Sequence, residues 1–201
     1  MRPAPLILAS ASPRRLQLLA QLGVTPDRVV PADLDETPHS GEVPRAYARR
    51  LAREKAVAVH RPGQFTLAGD TVVALGARIL PKADTDHTVA DCLALLSGRA
   101  HRVFSAICLI GPDGRQVSRL SATRVCFKRL SSTEIQTYCA SGEGLGKAAG
   151  YAIQGAAGAF VRSINGSYSG VVGLPLYEAS GLLRGLGYLS TTGVEPLSTS
   201  A

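Results

Sequence analysis

Short apolar runs alternate with segments of 3.6-residue periodicity along nearly the whole chain, an alternation that confines it to α/β architectures. Leu6–Ala9 reads as a buried strand, and Ser12-Pro13 opens a helix to near Gly23, with Ser as N-cap and Pro at the first helical position. Pro44 starts a second helix to about His60. Phe65–Ala68 and Thr71–Leu75 read as strand, and Asp86–Leu96 as a helix closed by Gly98. His101–Ile110 and Arg115–Phe127 form a long antiparallel hairpin, and Ser131 to Glu134 is a capping box for a helix to about Ala140. Past a glycine-rich stretch, 142–150, short strands are expected around Ala152 and over Ala159–Ile164, with a turn at Asn165-Gly166. Pro175 begins the last helix, to about Leu186. The pattern predicts one elongated domain over 1–189, with room for two lobes, and a loose tail over 190–201.

A chain of 201 residues, 45% apolar and 18% charged, can bury a substantial core and is not disordered. Its net charge of +7 favours an anionic partner. A nucleic-acid module would interleave aromatic and basic residues for stacking. With no Trp, four Phe, six Tyr and dispersed basic residues, no nucleic-acid partner is expected. No apolar run approaches the roughly 18 residues of a membrane span, so no membrane partner is expected either. Cys92, Cys108, Cys126 and Cys139 form no CxxC pair and the histidines lack zinc spacing, which predicts reduced, buried thiols in a cytoplasmic protein.

Three charges stand where apolar residues belong. Lys55 lies within the stripe of Ala48, Leu51, Ala52 and Val59, while Arg49, Arg50, Arg53 and Glu54 project away from it as a solvated face. Either the Lys55 stem snorkels to the surface or its ammonium meets an anion in a cleft. Arg15 begins the apolar face of the first helix. Beside it, Ser10, Ser12, Arg14 and the free backbone N–H groups of residues 12–15 compose either a phosphate cradle or an ordinary capped helix start. Asp70 interrupts a β-rich run, where a carboxylate must meet a cation, accept hydrogen bonds or shift its pKa. It is a candidate catalytic base or metal ligand unless Gly69-Asp70 is simply a turn. Asp35-Glu36 could supply a second acidic group. The glycines at 144 and 146 follow a helix rather than a strand, so they make no dinucleotide motif, and the Ser141–Ala148 segment departs from a Walker loop.

Ser10-Ala-Ser-Pro-Arg-Arg15, Asp35-Glu36, Leu51-Ala-Arg-Glu-Lys-Ala56, Asp70-Thr-Val-Val73, Lys82 and Leu96-Ser-Gly-Arg-Ala-His101 resemble the Maf family of nucleoside triphosphate pyrophosphatases. Gly150-Tyr-Ala-Ile-Gln-Gly155, Asn165-Gly-Ser-Tyr-Ser169 and Val172-Gly-Leu-Pro-Leu176 continue the match, in order, from about residue 6 to 187. The resemblance implies an α/β fold with a mixed twisted sheet, flanking helices and two lobes around a deep cleft, akin to inosine triphosphate pyrophosphatases. It implies hydrolysis of a nucleoside triphosphate to monophosphate and pyrophosphate with a divalent cation such as Mg²⁺ or Mn²⁺, and it is compatible with a homodimer. Gln154 stands where the 7-methyl-GTP branch usually carries an acid, so the dTTP and UTP branch is the nearer match. Carried over residue by residue, Ser10, Arg14, Arg15, Lys55 and Lys82 would contact phosphates, and Glu36 and Asp70 would hold metal. Asp70 would be the general base, and Arg14, Thr71 and Gln154 would bear on base selection. Ala68-Gly69, Ala83, Gly144 and Gly146 depart from the family pattern, which predicts a looser 142–147 loop. A 7-methyl-GTP enzyme, a basic nucleic-acid-binding module and a non-catalytic nucleotide-binding regulator are the competing readings.

Overall fold

The computed structural model describes residues 4–190, so the tail expected over 190–201 lies, but for its first residue, outside the described residues. Strands β1 (Leu6–Ala9), β2 (Arg28–Val29), β3 (Phe65–Leu75), β4 (Arg78–Ile79), β6 (Ala100–Ile110), β7 (Gln116–Phe127) and β9 (Val161–Asn165) form a seven-stranded mixed sheet. Its order is β2-β1-β3-β6-β7-β9, with β4 on β3. A separate ribbon pairs β5 (Lys82–Ala83) with β8 (Lys147–Ala148). The helices are α1 (Pro13–Ala20), α2 (Pro44–Val59), α3 (Asp86–Leu96), α4 (Ser132–Ala140), α5 (Tyr168–Val172) and α6 (Leu176–Gly185).

Where the sequence pattern is long, structure follows it. The hairpin β6–β7 is in register from Ala100↔Cys126 to Ile110↔Gln116, and the Ser131–Glu134 capping box is complete. Shorter features depart. Ala152 is not in a strand; a 3₁₀ turn spans Ala156–Phe160 before β9, because Gly155 and Gly158 loosen the run that alternation suggested. β3 runs unbroken through Gly69-Asp70, since β6 pairs with it continuously from Thr66 to Ala74, so the turn reading of Asp70 does not hold. All four cysteines are free thiols, Cys92 and Cys108 buried as expected but Cys126 and Cys139 only half-buried.

Two apolar cores lie on either side of the middle of the long strands. One gathers Leu6, Leu8, Leu19, Ile107, Leu109 and Leu183 around α1 and α6. The other gathers Leu93, Leu96, Val103, Phe127, Tyr138 and Phe160 around α3 and α4. On one sheet face, small residues (Ala48, Ala52 and Ala56 of α2 against Ala9, Ala68, Ala74 and Ala106) let the helix approach closely. The expected two lobes therefore share one sheet, and β6 carries residues of both cores.

Candidate active site

The site begins where a strand stops. β1 pairs in parallel with β3 only as far as Ala9↔Ala68, and β4 joins that edge only at Ala74↔Ile79. Between them β3 has an open edge at the carboxyl end of β1, the place where open α/β sheets accept ligands. A cleft of about 920 Å³ occupies this gap. Ser10, Arg14, Arg15, Glu36, Lys55, Asp70, Thr71, Lys82 and Gln154 all line it, so every residue to which the family resemblance gave a role lies in one cavity.

Strand alternation sends Asp70 to the same sheet face as Ala68, Val72 and Ala74, the face covered by α2. There Lys55, 8% exposed, donates from Nζ to Asp70 Oδ1 at 2.6 Å and meets Glu36 Oε1 at 2.7 Å. Asp70 is 7% exposed, and the snorkelling alternative for Lys55 fails. One ammonium thus holds two carboxylates at a single point on the cleft wall. The other side of β3 belongs to Arg15. Its Nε donates to the Gly173 carbonyl at 2.8 Å, Nη1 to Ser10 Oγ at 3.0 Å and Nη2 to Thr71 Oγ1 at 3.3 Å. Gly69 packs closely here: a Cβ there would stand 3.3 Å from the Ala106 carbonyl oxygen and from Ile107 Cγ2, and 3.4 Å from Arg15 Nε. Burial pushes the Arg15 pKa down, opposed by Asp70 and Glu36 and assisted by Arg14.

The helix start differs from expectation. Ser12 occupies the N-cap position but makes no side-chain cap bond. Its N–H donates to Ser10 Oγ at 3.1 Å, Arg15 N–H bonds the Ser12 carbonyl, and Pro13 has no N–H. Of the backbone donors expected at residues 12–15, Arg14 N–H is the one left, so a cradle here would have to be built mainly from side chains. Arg14 Nε reaches the Val172 carbonyl at 3.4 Å, which ties α1 to α5.

Across the cleft, the β5–β8 ribbon presents Lys82 and Lys147 on adjacent strands. Burial lowers the Lys147 pKa, and the neighbouring charges of Arg14 and Lys82 lower it further. These cations repel one another, which an incoming polyanion would relieve. Sequence reading missed Lys147, because it sits in a glycine-rich stretch with no periodic pattern to set it apart. That stretch is not loose at Gly144, where a Cβ would lie 2.5 Å from the Gly150 carbonyl oxygen. Gln154 lies exposed at the rim, and no hydrogen bond engages its amide among the described residues.

One further residue was misjudged and another was missed. Arg50, assigned to a solvated face with Arg49 and Arg53, is instead half-buried and paired with Glu42. Tyr47 donates to the Glu36 carbonyl at 2.5 Å. Its hydroxyl pKa is pushed up to about 12 by burial, then by Asp70 and Glu36, so it remains a donor. Asp35 turns aside to accept from Thr37 N–H at 2.9 Å and does not line the cleft.

The donor set fits a hard divalent cation that takes few protein ligands. Mg²⁺ commonly takes one or two carboxylates and completes its shell with water and phosphate oxygens. Glu36 and Asp70 supply two carboxylates, and among the described residues no group of three or more His, Cys, Asp or Glu side chains could cage a metal.

The pattern of the family described as Maf-like protein matches residues 5–186. The dTTP/UTP pyrophosphatase of Caulobacter vibrioides is 62% identical over 185 residues, covering 91% of this chain and 96% of that protein. That of Hyphomonas neptunium is 60% identical over 185 residues, covering 92% and 97%. Among solved structures, a HAM1 protein from Coxiella burnetii is similar at 18% identity and a TM-score of 0.49, over 90% of this chain and 99% of that one. A family match across nearly all the described residues, with relatives this similar over their full lengths, shows that the chain belongs to the Maf-like protein family.

Proposed function

We propose that this protein hydrolyses dTTP and UTP to the nucleoside monophosphate and pyrophosphate. The observation that carries the reading is the convergence of Lys55, Asp70 and Glu36 at the open edge of β3, in a cleft also lined by Arg14, Arg15, Lys82 and Lys147. The names of the similar bacterial enzymes support the pyrimidine substrates. Free thiols support work in the cytoplasm.

In this reading Arg14, Lys55, Lys82 and Lys147 bind the phosphate oxygens and offset the repulsion that a triphosphate presents to an attacking water. Arg15 spends three N–H groups on protein oxygens, so it mainly shapes the cleft by locking Ser10, Thr71 and Gly173 together. Asp70 accepts the proton of the water as its oxygen bonds to phosphorus and the anhydride link between the α- and β-phosphates breaks. Glu36 and Asp70 would hold a divalent cation, which when bound withdraws charge from the phosphate oxygens. The Gln154 amide offers a donor and an acceptor to a pyrimidine edge, and Arg14 and Thr71, which line the same cleft, bear on base selection. Pyrophosphate release from a panel of canonical and modified triphosphates, with Mg²⁺ or Mn²⁺, tests the assignment. Release with dTTP and UTP is expected, and no release from any triphosphate would refute it.

A further inference from the structure

Glu36 lies in a stretch, residues 30–43, that contains no helix or strand, and its carboxylate is half exposed. Something outside regular structure must hold it over Asp70. The hydrogen bonds identify two side chains one turn apart on α2. Tyr47 donates to the Glu36 carbonyl, and Arg50 grips the loop between Thr37 and Glu42. Arg50 Nε and Nη2 each donate to one Glu42 oxygen at 2.8 Å, a two-pronged pair. The same Nη2 reaches the Thr37 carbonyl at 3.1 Å, and Nη1 reaches Glu54 at 3.0 Å. The guanidinium stands 5.5 Å from the Tyr47 ring centroid. Glu42 closes the loop on itself by accepting from His39 N–H at 3.1 Å.

We infer that Arg50 and Glu42 form a strap that positions Glu36 for cation and triphosphate binding, an inference that rests on the pyrophosphatase reading. Arg50 does not itself line the cleft; it is a positioning residue acting through the loop. The strap is stronger than an exposed ion pair because the side chains are only 17% and 10% exposed and the geometry is two-pronged. Hydrogen bonds from Arg50 hold the Glu42 carboxyl down at about 2, so the pair persists across neutral and mildly acidic pH. Tyr47, Arg50 and Lys55 share one helix. α2 therefore fixes the backbone of Glu36 with one side chain, the adjoining loop with a second and the carboxylate with a third.

The test uses the full chain with Arg50→Lys, Glu42→Gln and, as a control that touches Arg50 but not the loop, Glu54→Gln. Lysine keeps the charge but cannot make the fork or also reach Thr37. Hydrogen exchange at the 37–42 amides is read without ligand, and half-saturating Mn²⁺ and dTTP are read from pyrophosphate release. Faster exchange confined to 37–42, with half-saturation raised about 10-fold or more and kcat changed less, is expected for the first two variants only. Unchanged exchange and half-saturation in both would overturn the strap, as would equal effects in Glu54→Gln. If the parent releases no pyrophosphate the functional reading fails, while the exchange measurement still decides whether the strap holds the loop.

Discussion

Lys55 Nζ sits 2.6 Å from Asp70 Oδ1, the two side chains being 11% and 10% exposed. The pair lies beside an apolar helix–sheet contact, where neither group is well hydrated. Removing one partner of a buried pair leaves an uncompensated charge, which costs about 3–5 kcal/mol.

The Lys55→Met variant is therefore expected to lose roughly 3 kcal/mol of stability in denaturant unfolding. Adding Asp70→Asn to it should restore most of that loss while leaving the enzyme inactive. Additive destabilisation by the two substitutions would show that the pair is not coupled.

The rim amide gives a specificity prediction. Gln154→Glu removes the donor and brings a carboxylate to the rim of the cleft. We expect kcat/KM for dTTP and UTP to fall about 10-fold or more, with little change in melting temperature, since Gln154 is exposed. An unchanged ranking across the triphosphate panel would remove Gln154 from base selection.

His101, 2% exposed, shares a 2.8 Å hydrogen bond with Tyr151 through Nε2, and its Nδ1 is buried with no hydrogen-bond partner among the described residues. Burial pushes its pKa down to about 4. The unfolded chain, with a histidine pKa of about 6.5, binds the proton first as pH falls. Stability from neutral His101 is thus fully present above about pH 6.5 and is lost progressively toward pH 4. Melting temperatures of the parent should fall across that window more steeply than those of His101→Asn. Equal slopes would place the acid sensitivity elsewhere.

The long elements and the charges inside them were legible because each broke a strong pattern. Lys55 interrupts a helical stripe, and Asp70 interrupts a strand that β6 stabilises along its length, so an anion partner for one and a cation for the other could be anticipated. The partner being each other could not, since it depends on α2 crossing that face of β3. The two-residue strands β4, β5 and β8 are too short for any periodicity, which hid Lys147. Arg50 was hidden for another reason. A helix position opposite the apolar stripe reads as solvent-facing, and nothing local announces that a loop 8 residues earlier, at Glu42, folds back over it.

Pyrophosphate release from dTTP by Asp70→Asn, beside the parent and with matched folding by circular dichroism, tests the central claim most directly. Asparagine still accepts from Lys55 but cannot take a proton from water, so turnover should drop by about 10²–10⁴-fold. Parental turnover in a folded Asp70→Asn protein would contradict the assignment of Asp70 as the base.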